Sequence, residues 1–240
     1  MATPLPMADE QHSPGYPRRI ASVHQIEIAS DCNLRCKYCP SPVMHKPVDE
    51  GGFGRPKQFM ERATFERALE WAQHFEARGT QGELAITGIG ESLLHPEFTD
   101  FIRLAREALP SNLITFSTNG ILVTEELCEA IAPYNPRAYV SLHRPERAKG
   151  AVDLFRRYGL LDGTNTAFAT EAFNWAGGLD WEVSIPEDSV VCEYLRSGWA
   201  VVLADGRFSA CCLDASGASS RGTIWDEIGQ QATEPWADEA

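Results

Sequence analysis

The sequence predicts an α/β fold, an open partial (β/α) barrel of parallel strands with a small β-rich appendage at its C-terminal end. Three observations predict it. From about residue 23 to about 170, short apolar runs alternate with amphipathic helical segments, the pattern of a parallel sheet with helices outside. Five such strand segments can be counted, too few for a closed eight-stranded barrel. From about residue 171 the pattern turns β-rich, and "WAVVLADGRFSACC" reads as a hairpin turning at Asp205-Gly206.

Taken in order, "VHQIEIAS" (23–30) alternates two side-chain sets and ends just before a run of cysteines, so it is a first strand. "PSPVMHKPVDEGGFGRPKQFM" is rich in Pro and Gly and lacks periodicity, which predicts a long loop; loops of that length inside a domain are usually functional. "TFERALEWAQHFEARG" puts Phe65, Ala68, Leu69, Ala72 and Phe75 on one helical face, with Thr64 as N-cap and Gly79 as stop. "ELAITGIGE" is a buried strand ending in glycines. "PEFTDFIRLAREAL" repeats the amphipathic pattern, and "NLITFSTNG" is a strand closed by Asn-Gly. "TEELCEAIA" is a helix with acidic residues where the dipole favours them. "RAYVSLH" is a strand, "PERAKGAVDLFRRYG" a helix and "TNTAFAT" a weak strand. The expected domains are a disordered lead-in (1–19), the partial barrel (20–170), the appendage (171–228) and an acidic tail (229–240).

Composition narrows the classes. Across 240 residues, 43% are hydrophobic and 10% aromatic, as in a globular chain. A formal charge of -13 repels phosphate backbones and anionic lipid, so no nucleic-acid or membrane partner is expected. No apolar run reaches the ~18 residues that a span needs, and the first nineteen residues lack the regions of a signal peptide. A cytoplasmic location is expected. In that reducing compartment clustered thiols suggest metal ligands or catalysis before disulfides.

"DCNLRCKYCP" holds three of the seven cysteines, Cys32, Cys36 and Cys39. Soft thiolates spaced tightly on one loop suit an iron–sulfur cluster, with one iron left open for chemistry. The alternative is a structural zinc site completed by a distant residue such as His45.

With Tyr38 in the aromatic place, this run resembles the CxxxCxΦC motif (Φ aromatic) of the radical S-adenosylmethionine (radical SAM) superfamily. The resemblance implies a [4Fe-4S] cluster whose unique iron is chelated by S-adenosyl-L-methionine. It further implies reductive cleavage to a 5′-deoxyadenosyl radical and hydrogen abstraction from a substrate. "TGIGES" is similar to the family's glycine-glycine-glutamate segment. Gly88 and Gly90 would then admit the methionine moiety, and Glu91 would accept from its amino group. "STNG" resembles the next segment, with Ser117 and Asn119 near the ribose or carboxylate, and "SLH" (Ser141, His143) holds the corresponding place one strand later. Strand-end capping is the simpler reading of those pairs.

Cys192, Cys211 and Cys212, with "FNWAGG" and "GTIWDEI", resemble a short SPASM/twitch-like extension. This implies an auxiliary iron–sulfur cluster; structural thiols are the alternative. Cys128 is expected in the core. Trp175, Trp181 and Trp199 suit packing or a substrate groove, and His45, Lys46, Arg55 and Lys57 form a basic spot that is either solvated or a lid over an anionic group.

The expected activity is hydrogen abstraction from a peptide, as in ribosomal peptide maturation. The alternatives are a small-molecule radical dehydrogenase or rearrangement enzyme, and a non-catalytic electron-transfer module. Expected partners are the substrate, an electron donor such as flavodoxin or ferredoxin, and a peptide-recognition protein.

Overall fold

The computed structural model describes residues 20–165 and 197–228. Five strands, β1 (Ser22–Ile26), β2 (Glu83–Ile86), β3 (Leu113–Thr118), β4 (Arg137–Ser141) and β5 (Leu161–Asn165), run parallel in the order β1-β2-β3-β4-β5. On the free side of β1 lies β6 (Trp199–Val202), also parallel. Two antiparallel strands follow, β7 (Arg207–Ser209) and β8 (Ser220–Thr223). Among the described residues this is one open sheet, β5-β4-β3-β2-β1-β6-β7-β8. The Asp205-Gly206 hairpin forms as the sequence predicts, but its first strand is a member of the parallel sheet and not of a detached unit.

The period of two along each strand separates the faces. Ile26, Leu84, Ile86, Ile114, Phe116, Ala138 and Val140 are fully buried, packed under helices α2 (Arg62–Glu76), α3 (Phe98–Ala108), α4 (Glu125–Ile131) and α5 (Pro145–Arg157). Phe65 stacks on Phe101 with centroids 4.1 Å apart, and Phe116 meets Phe98 and Phe155 edge-on. Trp71, Phe75 and Cys128 are core, as expected. The alternate residues Gln25, Thr87, Ser117, Tyr139 and Ser141 face the open side.

Several expectations need correction. Helix α2 begins at Arg62, and its N-cap Glu61 makes no side-chain cap bond, so Thr64 lies inside the first turn; the polar stretch before it hid the start. Strand β5 opens at Leu161 instead of Thr164; Asp162 and Gly163 hid its start by breaking the apolar pattern. The rest of "TNTAFAT" lies outside the described residues, as do Trp175, Trp181 and Cys192.

The long loop is built, not slack. It contains a short helix α1 (Ser41–Met44) and a 3-10 turn (Val48–Glu50), and Met44 and Met60 are buried. Arg55 is not a solvated lid residue. It lies beneath the surface, 2.5 Å from Glu27 Oε1 and 3.2 Å from the Ala215 carbonyl oxygen. The pair fastens β1, this loop and the C-terminal turn together. No helix among the described residues is long and apolar enough to cross a membrane.

Candidate active site

The carboxyl ends of β1 to β4 meet at one rim, where ligands of open parallel sheets bind. A cavity of about 290 Å³ there is lined by Cys32, Cys36, Cys39 and Tyr38, by Gly88, Gly90 and Glu91, and by Ser117, Asn119, Ser141 and His143. Residues separated by more than a hundred positions thus share one wall. Cys212 lines the cavity too.

The glycines at the end of β2 are demanded by the fold itself. A Cβ on Gly90 would stand 2.2 Å from the Ala29 carbonyl oxygen and 2.6 Å from that of Asp31, and one on Gly88 would meet Glu27 Cγ at 2.5 Å. At Gly90 this is backbone against backbone, which admits only glycine; at Gly88 the obstacle is the buried Glu27 side chain. The two glycines seat the β2 turn against the loop entering the cysteines, and they still line the cavity.

Glu91 is the hub of the rim. Its N–H donates to the Asp31 carbonyl oxygen. Its buried carboxylate accepts from Leu93 N (3.2 Å), Thr118 Oγ1 (2.7 Å) and Asn119 N (2.8 Å). Burial pushes its pKa up while those three bonds pull against the rise. Asn119 carries the link onward: its Nδ2 donates to Asn33 Oδ1 at 2.7 Å and its Oδ1 accepts from Ile121 N. Most of the polar capacity that the sequence assigns to a bound molecule is already spent on aligning three loops. Thr118 and Asn33 belong to this network; they lie inside "STNG" and "DCNLRCKYCP", but the motifs do not single them out.

Tyr38 Oη lies 2.7 Å from His143 Nδ1, joining the cysteine loop to the end of β4. Burial pushes the phenol up to about 12 and pulls His143 down, so both are neutral at pH 7.

The thiols suit an iron–sulfur group: three sulfurs border one cavity. Burial, reinforced by neighbouring thiols, pushes Cys39 up to about 11 and raises Cys32; a cationic cluster reverses that penalty. His45 does not complete the set. Its ring nitrogens lie 2.9 Å from the Arg55 and Ser30 carbonyl oxygens.

Of the second cysteine set, Cys212 faces the cavity while Cys211 does not, its Sγ accepting from Leu213 N at 3.4 Å. Their turn is organised by Asp214, whose carboxylate takes bonds from the hydroxyls of Ser209, Ser216 and Ser219. Trp199 stacks on His24 at 3.9 Å, and both line a second cavity of about 250 Å³ on the open face of the sheet. Gln25, Thr87, Ser117, Tyr139 and Cys212 border both cavities, so the two lie side by side.

The model of the Radical SAM superfamily matches residues 26–169. A curated protein of Pyrococcus furiosus, the tungsten-containing aldehyde ferredoxin oxidoreductase cofactor-modifying protein, is 32% identical over 107 residues, 45% of this chain. The match spans only 26% of that relative's length. Among solved structures, BtrN in complex with AdoMet and 2-DOIA superposes with a TM-score of 0.69 at 21% identity, covering 91% of this chain and 82% of that one. The native anSMEcpe with bound AdoMet and Kp18Cys peptide gives 0.57 at 13% identity, covering 89% and 80%. At these identities the structural likeness concerns the fold.

Proposed function

Because the chain belongs to the radical SAM superfamily, we propose that Cys32, Cys36 and Cys39 hold a [4Fe-4S] cluster beside S-adenosyl-L-methionine, for hydrogen abstraction from a substrate in the adjoining cavity. The observation that carries this reading is the convergence of the three thiols, the Gly88–Glu91 turn and His143 on one cavity with a second beside it. When bound, the cluster and S-adenosyl-L-methionine supply an electron and a 5′-deoxyadenosyl radical. The chain's own residues position and shield. Glu91 and Asn119 fix the loop that carries the thiols, the Tyr38–His143 bond closes that loop onto β4, and the open-face side chains of β1 to β4 form the substrate wall. Gly88, Gly90, Ser117 and Ser141 lie where they would border the S-adenosyl-L-methionine.

A small molecule is the favoured substrate, because the second cavity is of small-molecule scale. Peptide modification is the second reading. It draws on the peptide bound in one fold neighbour. An auxiliary cluster on Cys192, Cys211 and Cys212, a flavodoxin or ferredoxin donor, and a barrel-plus-appendage division near residue 171 belong to the same proposal.

Anaerobic reconstitution tests it. The protein is expected to turn brown, bind iron and sulfide through Cys32, Cys36 and Cys39, and form 5′-deoxyadenosine under dithionite. One cluster's worth of iron instead of two removes the auxiliary assignment. A colourless protein with zinc on that loop overturns the reading.

A further inference from the structure

The second cavity has walls whose hydrogen-bonding sense can be worked out atom by atom. Glu83, at the start of β2, lines it with His24, Gln25, Thr115, Tyr139 and Trp199. Thr115 Oγ1 donates to Glu83 Oε1 at 2.9 Å. A hydroxyl has one proton to give, so Thr115 has spent its own on the Glu83 carboxylate and turns only lone pairs toward other groups. Among the described lining residues there is no Lys or Arg. Trp199, its indole stacked on His24, lines the same cavity. At the neck shared with the thiol cavity, the side chains of Gln25, Thr87 and Ser117 show no hydrogen-bond partner among the described residues. Each can give and take a bond.

The wall therefore asks for a donor at its Glu83 end and accepts either sense at its neck. A carboxylate or phosphate ligand would meet acceptors and a negative charge. An uncharged polyol could use the neck but would leave Glu83 facing no cation. We infer that this cavity binds a small primary amine bearing hydroxyl groups, its ammonium held by Glu83 with the Thr115 oxygen and its hydroxyls at the Gln25–Thr87–Ser117 neck. The inference rests on the small-molecule reading above and names the class of substrate. The ammonium end lies at the Glu83 end of the cavity, so the carbon presented toward the thiols is one bearing a hydroxyl.

The probes are three sugars of one shape, glucosamine, glucose and glucuronate, titrated by calorimetry into the anaerobically reconstituted protein saturated with S-adenosyl-L-methionine. Glucosamine is expected to bind at least 10-fold more tightly than glucose, and glucuronate to bind more weakly than either. Glu83→Gln is expected to weaken glucosamine about 10- to 100-fold, the range of a charge-assisted bond, and to leave glucose within about 2-fold. Thr115→Val, which keeps the shape and removes one oxygen, gives a smaller loss of the same selectivity and serves if the first variant is misfolded by circular dichroism. Equal binding of the three sugars, preference for glucuronate, or glucosamine binding unchanged in both variants overturns the inference. So does tighter binding of an N-acetylated hexapeptide containing one lysine. The two levels separate cleanly: if the wild-type protein forms 5′-deoxyadenosine but shows no amine selectivity, only this inference fails; if it forms none, the reading beneath it fails whatever the sugars do.

Discussion

Tyr38 and His143 are 105 positions apart in sequence and 2.7 Å apart in the fold, phenol oxygen to Nδ1. Their rings are tilted by 51° with centroids 5.3 Å apart, so the contact is directional and not a stack. It is the clasp between the cysteine loop and the far side of the rim. Tyr38→Phe keeps the ring and removes the bond. Stability in urea should fall by about 1 kcal/mol, His143→Ala should cost a similar amount or more, and the double variant should cost less than the sum. Strict additivity would show that the two side chains do not communicate.

Glu91 presents acceptors to three donors. Glu91→Gln must turn an amide N–H toward a group that also donates, whichever way it rotates. The expected loss is about 1–3 kcal/mol in denaturation of the cluster-free protein, before any effect on S-adenosyl-L-methionine. An unchanged midpoint would mean that the carboxylate is reserved for a ligand.

Arg55 and Glu27 are an ion pair that water scarcely reaches, at 5% and 2% side-chain exposure. Removing one partner strands a buried charge. Arg55→Met should therefore cost about 3–5 kcal/mol, and adding Glu27→Leu should recover part of it. If the single variant loses less than about 1 kcal/mol, the loop does not pin the sheet to the C-terminal turn as described.

His95 sets a pH dependence. Its Nδ1 accepts from Glu97 N at 3.0 Å, so the proton sits on Nε2, which donates to the Met60 carbonyl oxygen at 2.9 Å. Burial pulls its pKa below 6.5. With the folded value depressed, this contribution to stability is present above the unfolded value near 6.5 and is lost as pH falls through the folded one. The stability difference between wild type and His95→Gln should be constant above about pH 7 and change steadily below about pH 6.5. A flat difference down to pH 5 would contradict the neutral assignment.

The order of strands and helices was legible because each element announces itself locally. Phe65, Leu69 and Phe75 recur at helical spacing, Thr124 caps α4 by accepting from Leu127 N, and Asp205-Gly206 turns a hairpin. Misjudged boundaries had local causes as well: Asp162 and Gly163 break the apolar pattern at the start of β5. The cysteine run and the strand-end positions of "TGIGE", "STNG" and "SLH" also marked the rim, since in a parallel sheet every strand delivers its carboxyl end to the same side.

The sequence by itself determined the alternation of elements, the thiol triad and the side of the sheet on which chemistry takes place, all of which follow from periodicity and spacing along the chain. Only the tertiary structure decided that Arg55 is buried against Glu27, that the Gly88 and Gly90 positions are closed by Ala29, Asp31 and Glu27, and that Glu91 spends its acceptors on Leu93, Thr118 and Asn119. It alone paired Thr115 with Glu83 at the wall of the second cavity. The reason is physical: a hydrogen-bonding group's use is fixed by whichever partner lies within about 3 Å, and those partners come from strands and loops tens of residues away.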